Sequence, residues 1–273
     1  GERDRNLKNI MPDFSVVVIN YNGKEFLRRS LTCVRESGLS PLRVVVVDDA
    51  STDGSDKMAR SEFPEFLLLR HEENRGPTAA RNTGAREARG KYIIFLDNDV
   101  LVRENTFETL IHFMETHPEA GICGPKFKPE KGEKIWWNMG YDPNIFRATI
   151  GRLFGFLLII FPDSKNIKNA SMRFSLNYWD YDYLLEVGWV GEACNTVRRD
   201  IFDQMGGFDE QFVMFHEGPD LSRRMGKKGF KTYFNPDVEV DLLESHTHSS
   251  SKRRTLFIKS TVLFYRKHYF NLK

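Results

Sequence analysis

Lys91-Tyr92-Ile93-Ile94-Phe95-Leu96-Asp97-Asn98-Asp99 is the stretch that decides how this chain is read. Tyr92 to Leu96 is an apolar run of strand length, β-branched and aromatic, of the kind found in strands buried on both faces. The three residues after it place two carboxylates one residue apart where that strand stops. Oxygen donors in this pattern suit Mg²⁺ or Mn²⁺, hard ions that keep some water and share themselves with substrate phosphates. Asp-x-Asp also occurs in ordinary turns and caps, so its flanks carry the inference.

Working outward, the first ~127 residues alternate between strand and helix patterns, as a parallel sheet built from βαβ units requires. Phe14 to Ile19 is a strand ending in Asn20-Tyr21-Asn22-Gly23, followed by a helix with Phe26, Leu27, Leu31 and Val34 along one face. Leu42 to Val47 is a second strand, running into Asp48-Asp49-Ala50-Ser51-Thr52-Asp53-Gly54-Ser55. A third, shorter strand spans Glu65 to Leu69. After it come Asn74-Arg75-Gly76-Pro77, with Pro77 suited to a first helical turn, and a helix through Ala79, Ala80, Ala85 and Ala88. Beyond the Asp pair, a helix from Glu104 to about Thr116 and a strand from Ala120 to Cys123 complete the unit. The polar signals all fall at strand C-termini, the edge along which open α/β sheets bind ligands. Asp53 or Ser51 reads as a helix N-cap, but capping leaves the second acidic pair on that edge unexplained.

Bulk properties narrow the classes. The 273 residues suffice for one large α/β domain or for a domain with an appended part. Forty Lys+Arg against 38 Asp+Glu give no global nucleic-acid signature. Cys33, Cys123 and Cys194 make neither a disulfide framework nor a zinc pattern and read as reduced cytosolic thiols. The N-terminus has no apolar signal sequence, and the apolar run Leu153 to Phe161 is far shorter than the roughly 20 residues that span a bilayer. The expected location is the cytoplasm, with peripheral contact at the inner face of the membrane. G-x-G-x-x-G and G-x-x-x-x-G-K-[ST] are absent, so pyrophosphate charge must be neutralised by something other than a Gly-rich cradle. A divalent ion on Asp99 would do so.

These motifs together resemble the inverting GT-A glycosyltransferases of family 2. The resemblance is carried by Val17-Val18-Ile19-Asn20-Tyr21-Asn22, by Val47 to Ser55, by Asn74-Arg75-Gly76 with Ala80-Arg81-Asn82-x-Gly84, and by Phe95 to Asp99. Downstream, Trp189-Val190-Gly191-Glu192-Ala193-Cys194, Val197-Arg198-Arg199, Gly206-Gly207-Phe208-Asp209-Glu210 and Glu217-x-x-Asp220-Leu221-x-x-Arg224 resemble its acceptor-side half, especially the rhamnosyltransferase-like branch. The resemblance covers roughly residues 13 to 250. It implies an α/β fold of nucleotide-diphospho-sugar transferase type, Rossmann-like, with a mainly parallel central sheet and helices on both faces. It divides the chain into a nucleotide-sugar-binding half (1–127), an acceptor-binding and catalytic half of the same domain (128–250), and a basic amphipathic C-terminal helix (251–273).

By that resemblance Asp49, with Asp48 beside it, recognises the nucleobase, a carboxylate being suited to a pyrimidine N3–H. The backbone around Asn20 forms the other wall of the base pocket. Arg75 or Arg81 contacts base or diphosphate, although Arg81 reads equally well as a solvated helical arginine. Asp97 faces the ribose or a metal-bound water, and Asp99 holds Mn²⁺ or Mg²⁺ on the diphosphate. His246 or His248 is a third metal ligand or else a solvent-exposed loop histidine. Inverting transfer needs a base for the acceptor hydroxyl. The family usually draws it from Glu-Asp-x-Asp-Leu, commonly the middle Asp, where this chain has Gly218. Glu217 then becomes the preferred base, at a helix start whose dipole eases its ionisation, with Asp220 the alternative. The plainer reading is that both cap the helix, Pro219 falling in its first turn. Glu192 is a second departure, standing where relatives usually have Gly, and its bulk would alter which sugar or acceptor fits.

Residues 130–188 read as aromatic-rich and irregular, with Trp136, Trp137, Tyr141, Phe146, Tyr178, Trp179, Tyr181 and Tyr183. This subregion either faces acceptor or membrane or is a packed helix or dimer contact. The tail from Arg253 reads as a basic amphipathic helix that rests on anionic lipid or packs back on the domain. The partners implied are a nucleoside-diphosphate sugar of UDP or dTDP type and a glycan or lipid-linked acceptor, with peripheral membrane contact, a homodimer as the alternative use of that surface, and no nucleic acid. The rival readings are a catalytically impaired nucleotide-sugar-binding protein on the same fold, motivated by Gly218, and a nucleotidyltransferase, which would release pyrophosphate.

Overall fold

The computed structural model describes residues 13–38, 40–130, 138–174, 181–243 and 250–270. The first half runs β1 (Phe14–Asn20), α1 (Lys24–Glu36), β2 (Arg43–Asp48), α2 (Ser55–Glu62), β3 (Leu67–Arg70), α3 (Pro77–Glu87), β4 (Tyr92–Asp97), β5 (Val100–Leu101), α4 (Thr106–Thr116) and β6 (Ala120–Pro129). The second runs β7 (Met139–Gly140), α5 (Ile145–Ile160), α6 (Lys165–Phe174), β8 (Leu185–Val187), β9 (Trp189–Val190), β10 (Cys194–Arg198), α7 (Arg199–Gln204), α8 (Glu217–Gly226), β11 (Lys231–Leu242) and α9 (Ser250–Tyr269).

Among the described residues the main sheet has the order β3-β2-β1-β4-β10-β6-β11-β5, with β8 also paired to β11. β3, β2, β1 and β4 are parallel, and β6 and β11 are parallel to each other. β4 and β6, which bracket a helix in the chain, are not paired directly. β10 runs antiparallel between them, so the second half of the chain supplies a central strand of the sheet. The two halves of the sequence therefore share one sheet and its cores.

Alternation along the strands divides that core by face. Val16 and Val18, Val44 and Val46, and Ile94 and Leu96 face α1, α2 and α4. Val17 and Ile19, Val45 and Val47, and Ile93 and Phe95 face α3, α7 and α8. Leu27, Leu31 and Val34 of α1 are almost fully buried, each worth roughly 1.5–3 kcal/mol in transfer from water. α3 lies unusually close to the sheet because it presents Ala80, Gly84 and Ala85. A Cβ on Gly84 would sit 2.2 Å from Cγ1 of Val17.

The sequence patterns place most elements of the first half to within a residue or two. β3 starts two residues later than expected because Phe66 N–H donates to the Phe63 carbonyl in a turn. β6 runs on to Pro129, its later part paired with β11 after an irregularity in register. The stretch 130–188 is not uniformly irregular: α5 and α6 form a helical pair. Trp136, Trp137, Tyr178 and Trp179 lie outside the described residues. α9 packs back on the domain through Phe264, which is fully buried, and Ser260, whose hydroxyl donates to the Met214 carbonyl.

Candidate active site

β1, β2 and β4 end side by side, and their polar residues meet there. Asn20 Nδ2 donates to Asp48 Oδ2 (3.0 Å) and to Ser51 Oγ (3.1 Å), while Asn98 Nδ2 donates to Asn20 Oδ1 (2.6 Å). Asp48 Oδ1 accepts the Ser51 N–H, with the Arg70 guanidinium 3.6 Å away. Asn20 is 3% exposed and Asp48 0%. The Asp48 carboxylate is turned into this knot together with the Asn20 side chain. Both are spent on tying three strand ends together, since a buried polar side chain must find its partners inside. Gly23 is required in the same knot, because a Cβ there would lie 1.9 Å from Asn98 Nδ2.

Asp49 lies at the same sheet edge. Its Oδ1 accepts the Arg75 N–H (2.9 Å) and its Oδ2 the Gly76 N–H (2.8 Å), which fixes the loop that starts α3. His71 Nδ1 is 2.7 Å from Asp49 Oδ1, and its Nε2 lies 3.0 Å from Thr83 Oγ1. His71 was not singled out from the sequence; its only signal there is its place one residue beyond a strand end. Gly76 has φ +88°, and Ala50, next to Asp49, holds φ +63°, a left-handed conformation uncommon outside glycine. The Arg75 side chain is half exposed and pairs with Glu210 (3.0 Å). Asp53 accepts the Lys24 and Ser55 N–H groups, joining the starts of α1 and α2, whereas Ser51 serves the Asn20–Asp48 knot rather than a helix cap.

The Asp-x-Asp turn is joined to the second half of the chain at two points and to α3 at a third. Asp97 N–H donates to the Ala193 carbonyl (2.8 Å), Leu243 N–H donates to the Asp99 carbonyl (2.9 Å), and Arg81 Nη2 donates to Asp97 Oδ1 (2.6 Å). Arg81 is 2% exposed, which rules out the solvated reading. Its Nη1 reaches Glu217 Oε1 (3.3 Å), so one guanidinium bridges the end of β4 to the first residue of α8. Asn82 clamps the Gly206–Glu210 motif from the same helix, its Oδ1 accepting the Phe208 N–H and its Nδ2 donating to the Phe208 carbonyl.

Around Arg81 stand Asp97, Glu217 and Glu192. Burial raises Glu217 above the ordinary carboxyl range, opposed by the Arg81 charge, so the expected easing of its ionisation by the helix dipole does not prevail. Burial and the neighbouring Glu217 push Glu192 up to about 8. Asp97 is raised by burial, against the pull of Arg81, and further by Asp99. Three carboxylates thus share one cation in a low-dielectric pocket, where like charges disfavour one another's ionisation. Glu217 Oε2 and Glu192 Oε1 are buried with no hydrogen-bond partner among the described residues. Phe215 and His216, just before Glu217, have φ +69° and +64°.

Asp220, the alternative base candidate, sits in an ionic cluster. It is fully buried, with His268 Nε2 at 2.8 Å, Lys267 Nζ at 2.7 Å and Arg224 Nε at 2.8 Å. Burial works to raise it, yet these partners outweigh burial and bring it down to about 2. A carboxylate so held is a poor proton acceptor and is sealed beneath α9.

Asp97 and Asp99 fit a hard divalent ion by donor chemistry. Their mutual repulsion is a strain that such an ion would relieve, and an ion sharing itself with diphosphate and water needs few protein oxygens. Among the described residues no group of three or more His, Cys, Asp or Glu closes on a metal site. His246 and His248 lie outside the described residues.

Comparison with known proteins bears on this arrangement. The chain is 27% identical over 272 residues, 91% of its own length and 82% of the relative's, to an N-acetylglucosaminyl-diphospho-decaprenol L-rhamnosyltransferase of Mycobacterium tuberculosis. It is 32% identical over 117 residues to the minor teichoic acid biosynthesis protein GgaB of Bacillus subtilis, covering 41% of this chain and 13% of that protein. Among solved structures it superposes with a TM-score of 0.64 on GalNAc-T7 with UDP, GalNAc and Mn²⁺, at 16% identity, over 94% of this chain and 48% of that one, so it spans about half of that protein. The mannosyltransferase PcManGT from Pyrobaculum calidifontis, solved with GDP-Man and Mn²⁺, also gives 0.64 at 18% identity, over 97% of this chain and 70% of that one. The architecture is that of the GT-A glycosyltransferases, as the sequence motifs imply. Residues 15–173, from β1 through the Asp-x-Asp turn and on into α6, match the profile of Glycosyl transferase family 2, and the chain belongs to that family.

Proposed function

We propose that this glycosyltransferase is inverting and metal-dependent, moving a hexosyl or deoxyhexosyl group from a UDP- or dTDP-linked sugar to a hydroxyl of a glycan or lipid-linked acceptor. The observation that carries the reading is Arg81, which fastens the Asp-x-Asp turn to the start of α8 and so joins the donor edge to the acceptor side. Residues 1–127 serve as the donor half, 128–250 as the acceptor half and 251–273 as a buttress beneath it. Asp49 fixes the loop before α3 and offers its remaining lone pairs to the nucleobase, and Arg75 at the rim serves base or diphosphate. Asp99 and Asp97 would hold Mn²⁺ or Mg²⁺, with His246 or His248 as a further ligand. Such an ion, once bound, offsets the charge that develops on the departing nucleoside diphosphate. Arg81 keeps Asp97 oriented toward that site. On the opposite side a carboxylate takes the acceptor proton, and the ones standing there are Glu217 and Glu192. The named activity of the mycobacterial relative supports a polyprenyl-diphosphate-linked acceptor.

The test is a thermal-shift panel of UDP, dTDP, GDP and their sugars with and without Mn²⁺, followed by nucleoside diphosphate release in the presence of N-acetylglucosamine carried on a short prenyl diphosphate. A Mn²⁺-dependent shift that Asp99→Ala abolishes is expected. Binding without turnover across acceptors would favour the nucleotide-sugar-binding alternative, and release of pyrophosphate would favour a nucleotidyltransferase.

A further inference from the structure

Glu192 and Gly218 lie far apart in sequence and share one volume in the fold. Glu192 leaves the turn between β9 and β10, and Gly218 is the second residue of α8. An ideal Cβ on Gly218 would fall 1.6 Å from Glu192 Oε1, 2.6 Å from its Cδ and 3.1 Å from its Cγ. The Glu192 carboxylate therefore fills the space that a side chain at 218 would enter. Glycine at 218 makes room for it, and a side chain as long as glutamate is needed at 192 to reach the head of α8. We propose that Glu192, delivered across the sheet into the place left by Gly218, is the base that accepts the acceptor proton, and that Glu217 is a positioning residue that holds Arg81. This rests on the transferase reading above.

The two glutamates differ in ways that sort their roles. Glu217 is 3% exposed and engaged by Arg81 through Oε1, so its charge is already committed to the bridge toward Asp97. Each glutamate keeps one buried oxygen with no hydrogen-bond partner among the described residues, Oε2 of Glu217 and Oε1 of Glu192, but Glu192 is also partly open to solvent. A base must reach the proton that it removes. In the step itself the acceptor O–H bond breaks and its proton passes to the Glu192 carboxylate. The freed oxygen pair forms the new bond to the anomeric carbon, and the bond from that carbon to the phosphate oxygen breaks, its electron pair leaving with the nucleoside diphosphate. The proton on Glu192 then returns to solvent.

The experiment relocates the carboxylate. Glu192→Gln, Glu217→Gln, Gly218→Asp and the double variant E192G/G218D are assayed for nucleoside diphosphate release from dTDP- and UDP-sugars, with Mn²⁺ and the prenyl-diphosphate N-acetylglucosamine acceptor. Mn²⁺-dependent nucleotide shifts are recorded for each. Removing a positioned base costs on the order of 10²–10⁴-fold. E192Q should lose about 100-fold or more in kcat with donor KM within about threefold. G218D alone should be crippled by its collision with Glu192, and E192G/G218D should recover to within about tenfold of the parent. E217Q should raise donor KM together with its loss of kcat, because Arg81 and Asp97 shift with it. E192Q turning over like the parent would overturn the assignment, as would E192G/G218D staying as inactive as E192Q while binding nucleotide normally. A parent that binds nucleotide but transfers to nothing would instead overturn the transferase reading itself.

Discussion

The partners of Asp220 hold its carboxyl below the usual carboxylate range, and the consequence is measurable. Its partners His268, Lys267 and Arg224 come from α9 and from its own helix, and Lys267 also pairs with Asp209 at 2.6 Å. Removing one partner of a buried ionic cluster leaves the others uncompensated, at a cost of about 3–5 kcal/mol. Asp220→Asn should therefore lower stability by about 2–4 kcal/mol in a urea melt, the retained Lys267–Asp209 pair softening the loss, and leave kcat of the folded protein within about threefold. A 100-fold fall in kcat at unchanged melting temperature would put Asp220 back among the catalytic groups. Gly84 offers an independent test of packing. Gly84→Val would drive branched carbons into Val17, where a Cβ alone meets Cγ1 at 2.2 Å, and overpacking of this kind costs about 1–3 kcal/mol in a denaturant melt. At this scale the sequence shows which residues carry charge at the strand ends but not which way each points. Asp48 and Asp49 are adjacent in the chain, and only the pleat and the loop hydrogen bonds decide that Asp48 turns into the Asn20 knot while Asp49 reaches the α3 loop. The exchange between Glu192 and Gly218 was legible only as two separate departures from a motif, because their proximity depends on β10 entering the sheet beside β4.

Among the elements, α9 has the most conditional attachment. His216, at φ +64° before α8, puts Nε2 2.8 Å from Thr261 Oγ1 and packs against the rings of Phe257 and Phe264. Burial, together with the charge of Arg152, lowers His216 to about 4. Its folded pKa thus lies below the unfolded value near 6.5, so between those limits the unfolded chain binds the proton and the native chain does not. Stability from this group is complete above about pH 6.5 and is lost as pH falls toward about 4, by about 3 kcal/mol at most. Melts from pH 7.5 to 4.5 should fall more steeply for the parent than for His216→Gln, and hydrogen exchange should locate the loosening in α9. Equal slopes would show that His216 titrates normally. The elements themselves were largely readable in the first half, where apolar strands and an amphipathic α1 obey simple periods. They were less so in residues 130–188, because α5 is apolar nearly all round and its periodicity picks out no face. β10 escaped notice since its pairing is wholly long-range and antiparallel within an otherwise parallel region.

At the scale of the whole molecule, the apolar character of α5 has no counterpart in the core. Phe146, Leu153, Phe156, Ile159 and Ile160 are half to four-fifths exposed, and Phe257, Ile258 and Val262 of α9, with Phe270 just after it, are about half exposed. The two helices adjoin, since the Tyr269 hydroxyl donates to the Pro143 carbonyl just ahead of α5. No helix among the described residues is long and apolar enough to cross a membrane. Large exposed apolar patches mark interaction sites, and these apolar side chains are accompanied on α9 by the exposed bases Arg254, Lys259 and Arg266. A lipid surface suits that pairing of apolar rings with positive charge, each Lys or Arg adding about 1 kcal/mol near anionic headgroups, and it is where a lipid-linked acceptor would be met. His268 and Lys267 are excluded from this role, being committed to Asp220. Burying one large apolar side chain is worth about 1.5–3 kcal/mol, so the paired change Phe156→Glu and Ile159→Glu should weaken partition onto vesicles containing phosphatidylglycerol by at least about 100-fold in a flotation assay. The parent's binding should weaken as salt rises, since charge supplies part of the attraction. A parent that stays off vesicles but elutes as a dimer, and becomes monomeric with the same two changes, would assign the face to a second copy of the chain. In either case transfer to a water-soluble acceptor should be unaltered by the pair, because Phe156 and Ile159 are exposed on α5 and are not part of the Arg81 cluster.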